Sequence, residues 1–324
     1  MKTVAILGGL GSQMTKYAFY LDIKKKCQNE CCYIDTTPFY TLKMWNGYEL
    51  NRIFGIEDKD LYDQYSEEEK KQCDSLPYKN IAMKKMHDME PERTLYCTNR
   101  GRIIKYGTEQ TFGVRLKGKL QSIVNKYWFE KIMHDDRHID KYPANYLTIA
   151  GNVYYDEFNH TSDLYFKDAV REIKEAFIFP EFEDEKNKNL AKEMLTTESV
   201  ALHVRRSDHM YDNIALFERD YFKKSVELIR KNAKNLKFYI FSEEADWCSK
   251  HLEELGISDT EEVCFVNWNH GTESFRDMQL MTYCKHNILA ISSFSWWGCY
   301  LSQNREGKIA CAPKGYWFDI ENHF

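Results

Sequence analysis

Two neighbouring arginines, Arg205 and Arg206, stand where the apolar run Val200-Ala201-Leu202 gives way to His203-Val204. A guanidinium stays charged at physiological pH and is costly to hold beside a core edge without an anion to neutralise it. Its planar fork matches phosphate oxygens, and the ends of strands in an open α/β sheet are where ligands bind. A second apolar run, Ile288-Leu289-Ala290-Ile291, leads into Ser292, Ser293, Phe294, Ser295, Trp296, Trp297 and Gly298. Serines at a helix start cap free N–H groups, and such a terminus favours anions. A diphosphate held between that turn and the arginines would be neutralised without a metal. The structural alternatives are a surface ion-pair cluster with Asp208 and Glu218, and serines that only cap while the tryptophans fill the core. The second suits Trp296 and Trp297 better than it suits three serines in four residues.

The elements that must position these groups can be read from periodicity. Thr3 to Leu7 reads as a buried strand, Gly8-Gly9-Leu10-Gly11 as a tight turn and Gln13 to about Lys26 as a helix. Met14, Tyr17, Ala18, Leu21 and Ile23 recur there at roughly helical spacing. Cys31 to Ile34 reads as a second strand. The unit resembles a dinucleotide fold, but Met14 stands where the third glycine of GxGxxG would be, which disfavours a nicotinamide cofactor. The stretch from Glu57 to Lys117 reads as polar and irregular, a place for acceptor-specific architecture, with Ser66 to Lys71 as a solvated helix face. Gly151 to Phe158 is rich in aromatics and reads either as cleft lining or as packing. A charged run from Glu181 to Lys188 suggests a domain boundary near 190, dividing the chain into 1–190 and 191–324. Beyond it, strands are expected at Val200–Val204, Phe238–Phe241, Val263–Val266, Ile288–Ile291 and Ile309–Ala312. Helices are expected at Asp220–Lys231, Glu244–Leu255, Glu273–Cys284 and Ser295–Gln303. Alternation of this kind argues an α/β fold with a parallel, doubly wound sheet.

The segments GGLGSQMTKYAF (8–19), HVRRSD (203–208), FSEEADW (241–247) and SSFSWWG (292–298) together resemble the motif set of the bacterial α-1,2-fucosyltransferases, glycosyltransferase family 11. The resemblance implies a GT-B fold of two Rossmann-like domains facing a central cleft. It implies GDP-β-L-fucose as donor, a galactose-containing oligosaccharide or glycolipid as acceptor, inversion at the anomeric carbon and no metal. It puts Gly9, Gly11 and Gln13 near the donor's phosphates and sugar. Arg205 and Arg206, aided by Ser292, Ser293, Phe294 and Ser295, would stabilise the departing phosphate. Guanine offers N1–H and N2–H donors, so Glu243, beside Ser242 and where related enzymes carry aspartate, is the expected base reader, with Glu244 as fallback. Glu273 and Asp277 sit four apart and would share a helix face, near the donor or as caps. Asp208, then His203, are the candidate general bases. Ser12, Ser207, Glu243-Glu244 and Ala290 depart from the usual asparagine, glycine, Asp-Asp and asparagine. These changes imply altered acceptor or loop geometry.

Composition narrows the classes. With 45 basic and 50 acidic residues in 324 the net charge is −5, which argues against a nucleic-acid binder. No window approaches the roughly 20 apolar residues of a membrane span, and Met1 to Gly8 does not read as a signal peptide. A cytoplasmic enzyme is expected, with peripheral contact to a membrane where the acceptor is a glycolipid. The 10 cysteines should then be reduced thiols. Asp58-Lys59-Asp60 is a literal DxD, and His134-Asp135-Asp136-Arg137-His138 is rich in ligand types. Both read as charged surface rather than metal sites, and no cofactor is expected.

Overall fold

The computed structural model describes residues 1–27, 31–43, 45–91, 94–97, 103–105, 149–156, 163–206, 217, 220–303 and 305–313. Two five-stranded sheets organise them. The first contains β1 (Lys2–Ala5), β2 (Cys32–Asp35), β3 (Thr94–Cys97), β4 (Ile103–Lys105) and β5 (Asn152–Tyr155) in the order β2-β1-β5-β3-β4. Pairing is parallel except at the edge, where β4 runs antiparallel to β3. The second contains β6 (Glu198–His203), β7 (Leu236–Phe241), β8 (Glu262–Val266), β9 (His286–Ile288) and β10 (Ala310–Cys311), ordered β10-β9-β6-β7-β8 and parallel throughout. Parallel strands are covered on both faces and so read as unbroken apolar runs. Val200, Ala201 and Leu202 of β6 and Phe238 to Phe241 of β7 are accordingly buried. This is the GT-B arrangement, two α/β lobes facing a cleft.

In the first lobe, α1 (Leu10–Lys26) follows β1 through the glycine turn, and Gly8 takes φ +95°, a conformation open to glycine. The charged run after Ser66 forms α2 (Glu67–Gln72), with a Ser66–Glu69 capping box and no buried residue. The stretch from 57 to 117, expected to be irregular, instead contributes β3 and β4. Strands of 4 and 3 residues are too short to show a period. Val153, Tyr154 and Tyr155 of β5 are fully buried, so those aromatics pack the core.

The second lobe carries α3 (Glu185–Thr196), α4 (Tyr221–Asn232), α5 (Ala245–Lys250), α6 (Phe275–Met281) and α7 (Ser293–Tyr300). Residue 190 falls inside α3, whose Ala191 and Met194 pack with Phe182 against Tyr239 and Val266 of the second sheet. The lobes meet where α1 crosses α7. A Cβ on Gly11 would lie 2.6 Å from the Phe294 backbone nitrogen and 2.8 Å from the Ser293 carbonyl oxygen. One turn on, the Trp297 indole N–H donates to Thr15 Oγ1 at 3.0 Å, and Thr15 donates to the Gly11 carbonyl at 2.9 Å. Trp296 and Trp297 are buried, and Trp297 packs on Phe166 and Phe177. The tryptophans are core; of the serines before them, Ser292 and Ser295 are also buried, and Ser293 is partly exposed.

Candidate active site

A cleft of about 600 Å³ opens between the carboxyl ends of the two sheets. The turn after β1 (Gly8, Gly9, Gly11, Ser12), Lys16, Trp45, Asn46 and Glu49 form one wall. The other is built from segments that leave consecutive strands of the second sheet. Its members are His203 at the end of β6 and Arg205 after it, Ser242 and Glu243 after β7, Asn267 and Asn269 after β8, then Asp277, Ser293 and Phe294. Ligands bind in such crevices because strand ends there present backbone groups and side chains that converge.

The two arginines separate. Arg205 lines the cleft and donates from Nη1 to Ser292 Oγ at 3.1 Å. Ser292 is the N-cap of α7, and its hydroxyl also accepts from the Phe294 N–H at 3.2 Å. A guanidinium and the start of an eight-residue helix thus converge on one spot, with two sources of positive potential. Ser293 and Phe294 face that spot, while Ser295 is buried and donates to the Ser292 carbonyl at 3.3 Å. Arg206 lies elsewhere. Its guanidinium carbon sits 3.6 Å from the Trp247 ring centroid on α5, and its Nε is 3.5 Å from Glu244 Oε2. That is a cation–π stack with an ion pair, and it holds α5 to the end of β6.

The glycine turn approaches from the other lobe. Gly9 is the N-cap of α1 and, like Gly11, lines the cleft. Gln13 is fully buried and works behind the turn. Its amide nitrogen donates to the Gly8 and Gly47 carbonyls, both at 2.9 Å, and its oxygen accepts from the Glu49 N–H at 2.9 Å. Ser12, in place of the usual asparagine, accepts from Lys16 Nζ at 2.6 Å.

His203 lines the cleft with its ring centroid 6.0 Å from that of Phe294. Burial, with Arg205 alongside, pushes its imidazole down to about 3, so it is neutral and a weak proton acceptor at working pH. Asp208 and Ser207 lie outside the described residues. Glu243 is exposed at the cleft mouth, whereas Glu244 is turned to Arg206 and its N–H donates to Ser242 Oγ at 3.1 Å. Glu273 and Asp277 part company, because Glu273 belongs to a 3-10 turn before α6 and pairs with Arg276 at 3.3 Å. Asp277 instead lines the cleft and accepts from Asn269 Nδ2 at 2.7 Å; burial pushes its carboxyl up to about 7.

Asp58 and Asp60 are held by internal partners. Asp58 accepts from Tyr17 at 2.7 Å, Tyr20 at 3.1 Å and Lys24 at 2.5 Å, and Asp60 from Thr36 and Tyr62. Among the described residues no cluster of three or more metal-ligating side chains occurs. Residues 134–138 lie outside the described residues. The cysteines with described side chains are free thiols.

Sequence reading missed Lys16, Trp45, Asn46, Glu49, Asn267 and Asn269. Lys16 alone left a trace. It is a fully buried lysine on a helix whose Met14, Tyr17 and Ala18 are core, and a buried ammonium needs a reason.

The family model for glycosyl transferase family 11 matches residues 112–317. An alpha-1,2-colitosyltransferase of Escherichia coli is 36% identical over 140 residues, covering 41% of this chain and 46% of that protein. The O-antigen biosynthesis glycosyltransferase WbnK of Escherichia coli is 24% identical over 330 residues, 97% of this chain and 94% of that one. Rat galactoside alpha-(1,2)-fucosyltransferase 1 is 30% identical over 109 residues, 32% of this chain and 28% of the rat protein. The chain therefore spans under half the length of the colitosyltransferase and of the rat enzyme, and nearly all of WbnK. Among solved structures, the fucosyltransferase NodZ from Bradyrhizobium superposes with a TM-score of 0.49 at 12% identity, covering 93% of this chain and 92% of NodZ. The family model alone covers more than half the sequence and takes in both the arginine pair and the serine turn: this chain belongs to glycosyl transferase family 11.

Proposed function

We propose that the protein transfers L-fucose from GDP-β-L-fucose to the 2-hydroxyl of a galactoside, with inversion and without a metal, in building a surface glycan. One observation carries this reading: Arg205 and the N-terminus of α7 converge on the cleft opposite the glycine turn. In the reaction the acceptor oxygen bonds to the anomeric carbon as the bond from that carbon to the β-phosphate oxygen breaks. Positive charge grows on the sugar and negative charge on the departing phosphate. The Arg205 guanidinium and the Ser293 N–H at the start of α7 would lie where that negative charge develops, an arrangement that is often the largest catalytic term. The acceptor's proton leaves to a base or to solvent. Asp208 is the favoured base from sequence, and His203, being neutral, suits a positioning role better than proton abstraction.

For the base of the nucleotide we favour Asp277 over Glu243. A carboxylate shielded from water makes a stronger hydrogen bond to N1–H and N2–H than one exposed at the mouth. Similarity to the colitosyltransferase supports a second reading, in which the transferred sugar is colitose. Competition between GDP-fucose and GDP-colitose for transfer to lactose, with linkage analysis of the product, tests both. A product carrying fucose at the galactose 2-hydroxyl supports the first reading. Selective use of GDP-colitose would replace it by the second, and a different linkage would overturn the acceptor assignment.

A further inference from the structure

We infer that Trp45 is the platform on which the acceptor's sugar ring stacks, forming a subsite for an uncharged hexopyranose; this rests on the transfer reading above. Trp45 is 53% exposed, while Trp296 and Trp297 are fully buried. Among the described residues its ring joins none of the aromatic pairs of the core. It lies on the cleft wall against the glycine turn, where a Cβ on Gly9 would be 3.6 Å from its Cδ1. The groups suited to phosphate and guanine, Arg205, Ser293 and Asp277, are on the opposite wall. With the donor's phosphates and base assigned to those groups, the exposed Trp45 face on the other wall is left for the second substrate.

The loop that carries Trp45 is fixed at some cost. Lys43, Trp45 and Gly47 have φ of +48°, +54° and +76°. For a bulky side chain the left-handed region is strained, and such strain persists only where the surroundings over-determine it. Here they do. Gln13 holds the Gly47 carbonyl and the Glu49 N–H, and Asn46 Nδ2 donates to the Gly271 carbonyl at 3.0 Å, reaching the other lobe. Asn46 also donates to Glu49 Oε1 at 3.3 Å, and Arg52 holds the same oxygen at 2.7 Å. An exposed indole is thus immobilised at a cleft, with an amide and a carboxylate beside it. A pyranose has a face of C–H groups that can lie on the indole and a rim of hydroxyls that can reach Asn46, which Glu49 holds in place. A charged or extended aliphatic ligand would use that pairing of flat apolar surface and polar rim less well.

The test uses lactose with the full chain. On saturating aromatic protons in the presence of GDP, the wild type should pass saturation to the galactose ring protons, Trp45→Ala should lose that transfer and Trp45→Phe should keep part of it. In kinetics Trp45→Ala should raise the KM for lactose about five- to tenfold, in keeping with one aromatic stack, while KM for GDP-fucose and GDP affinity by calorimetry hold. An unchanged lactose KM, or a donor KM that rises equally, would overturn the assignment and leave the transfer reading intact. Wild-type protein that binds GDP but shows no contact with lactose would overturn the galactoside acceptor and this subsite with it. Absence of GDP binding would sink the donor reading itself.

Discussion

At the scale of single residues, the cleft distinguishes groups that adjacency in sequence cannot. Arg205 and Arg206 are neighbours, yet one points to the helix terminus and the other stacks on Trp247. Arg205→Ala should therefore lower kcat by roughly 10²–10³-fold, the usual cost of one preorganised donor, with the melting temperature little changed. Arg206→Ala should act mainly on stability, through loss of its stack and ion pair; equal losses of kcat in the two variants would contradict that division. Asp277 gives a pH signature. Its carboxyl, held near 7 in the free protein, must be ionised to accept from guanine. GDP affinity should then fall as pH drops below 7, by up to about tenfold per unit. Asp277→Asn should weaken GDP more than inosine diphosphate, which lacks the N2 amino group, and should flatten the pH profile relative to wild type. A profile identical in both proteins would count against the assignment. Arginines and serines at strand ends were legible because their chemistry is local. Trp45 and Glu49 were not, since nothing in their neighbours says that a strained loop turns them to a cleft.

At the scale of elements, the junction of α1 with α7 sets the geometry of the site. Gly11 belongs to a motif that reads as a phosphate turn, but its lack of a Cβ serves first to admit the Ser293-Phe294 backbone at van der Waals range. Gly11→Ala would force two backbones apart, since rigid main chain rather than a mobile side chain stands in the way. We expect a loss of about 1–3 kcal/mol of stability, as for other overpacked contacts, together with a fall in kcat. Denaturant unfolding and steady-state kinetics on one preparation would check both, and unchanged values would remove the junction from the account. The central strands β6 and β7 were readable because they are buried on both faces, whereas β9 lies at His286–Ile288, ahead of the expected Ile288–Ile291, because its first two residues are polar. The partners of Gly11 and Thr15 lie some 280 residues away, at Phe294 and Trp297, and no local pattern carries such a contact. The brief strands β3 and β4 escaped for want of length.

At the scale of the whole molecule, two lobes present strand ends to a shared cleft, one supplying Arg205, the α7 terminus and Asp277 and the other the glycine turn and the Trp45 loop. We propose that the chain passes between lobes near Pro180, ahead of the expected 190. Arg276 Nη1 and Gln279 Nε2 of α6 donate to the Pro180 carbonyl at 3.0 and 2.8 Å, and Phe182 already packs in the second lobe. Among the described residues no helix is long and apolar enough to cross a membrane. The central claim is that Arg205 and the α7 terminus supply the charge stabilisation that a metal supplies in other transferases. It is tested most directly by assaying transfer from GDP-fucose to lactose in excess EDTA. The account predicts undiminished formation of α-1,2-fucosylated product; transfer that vanishes with EDTA and returns only with added manganese or magnesium would contradict it.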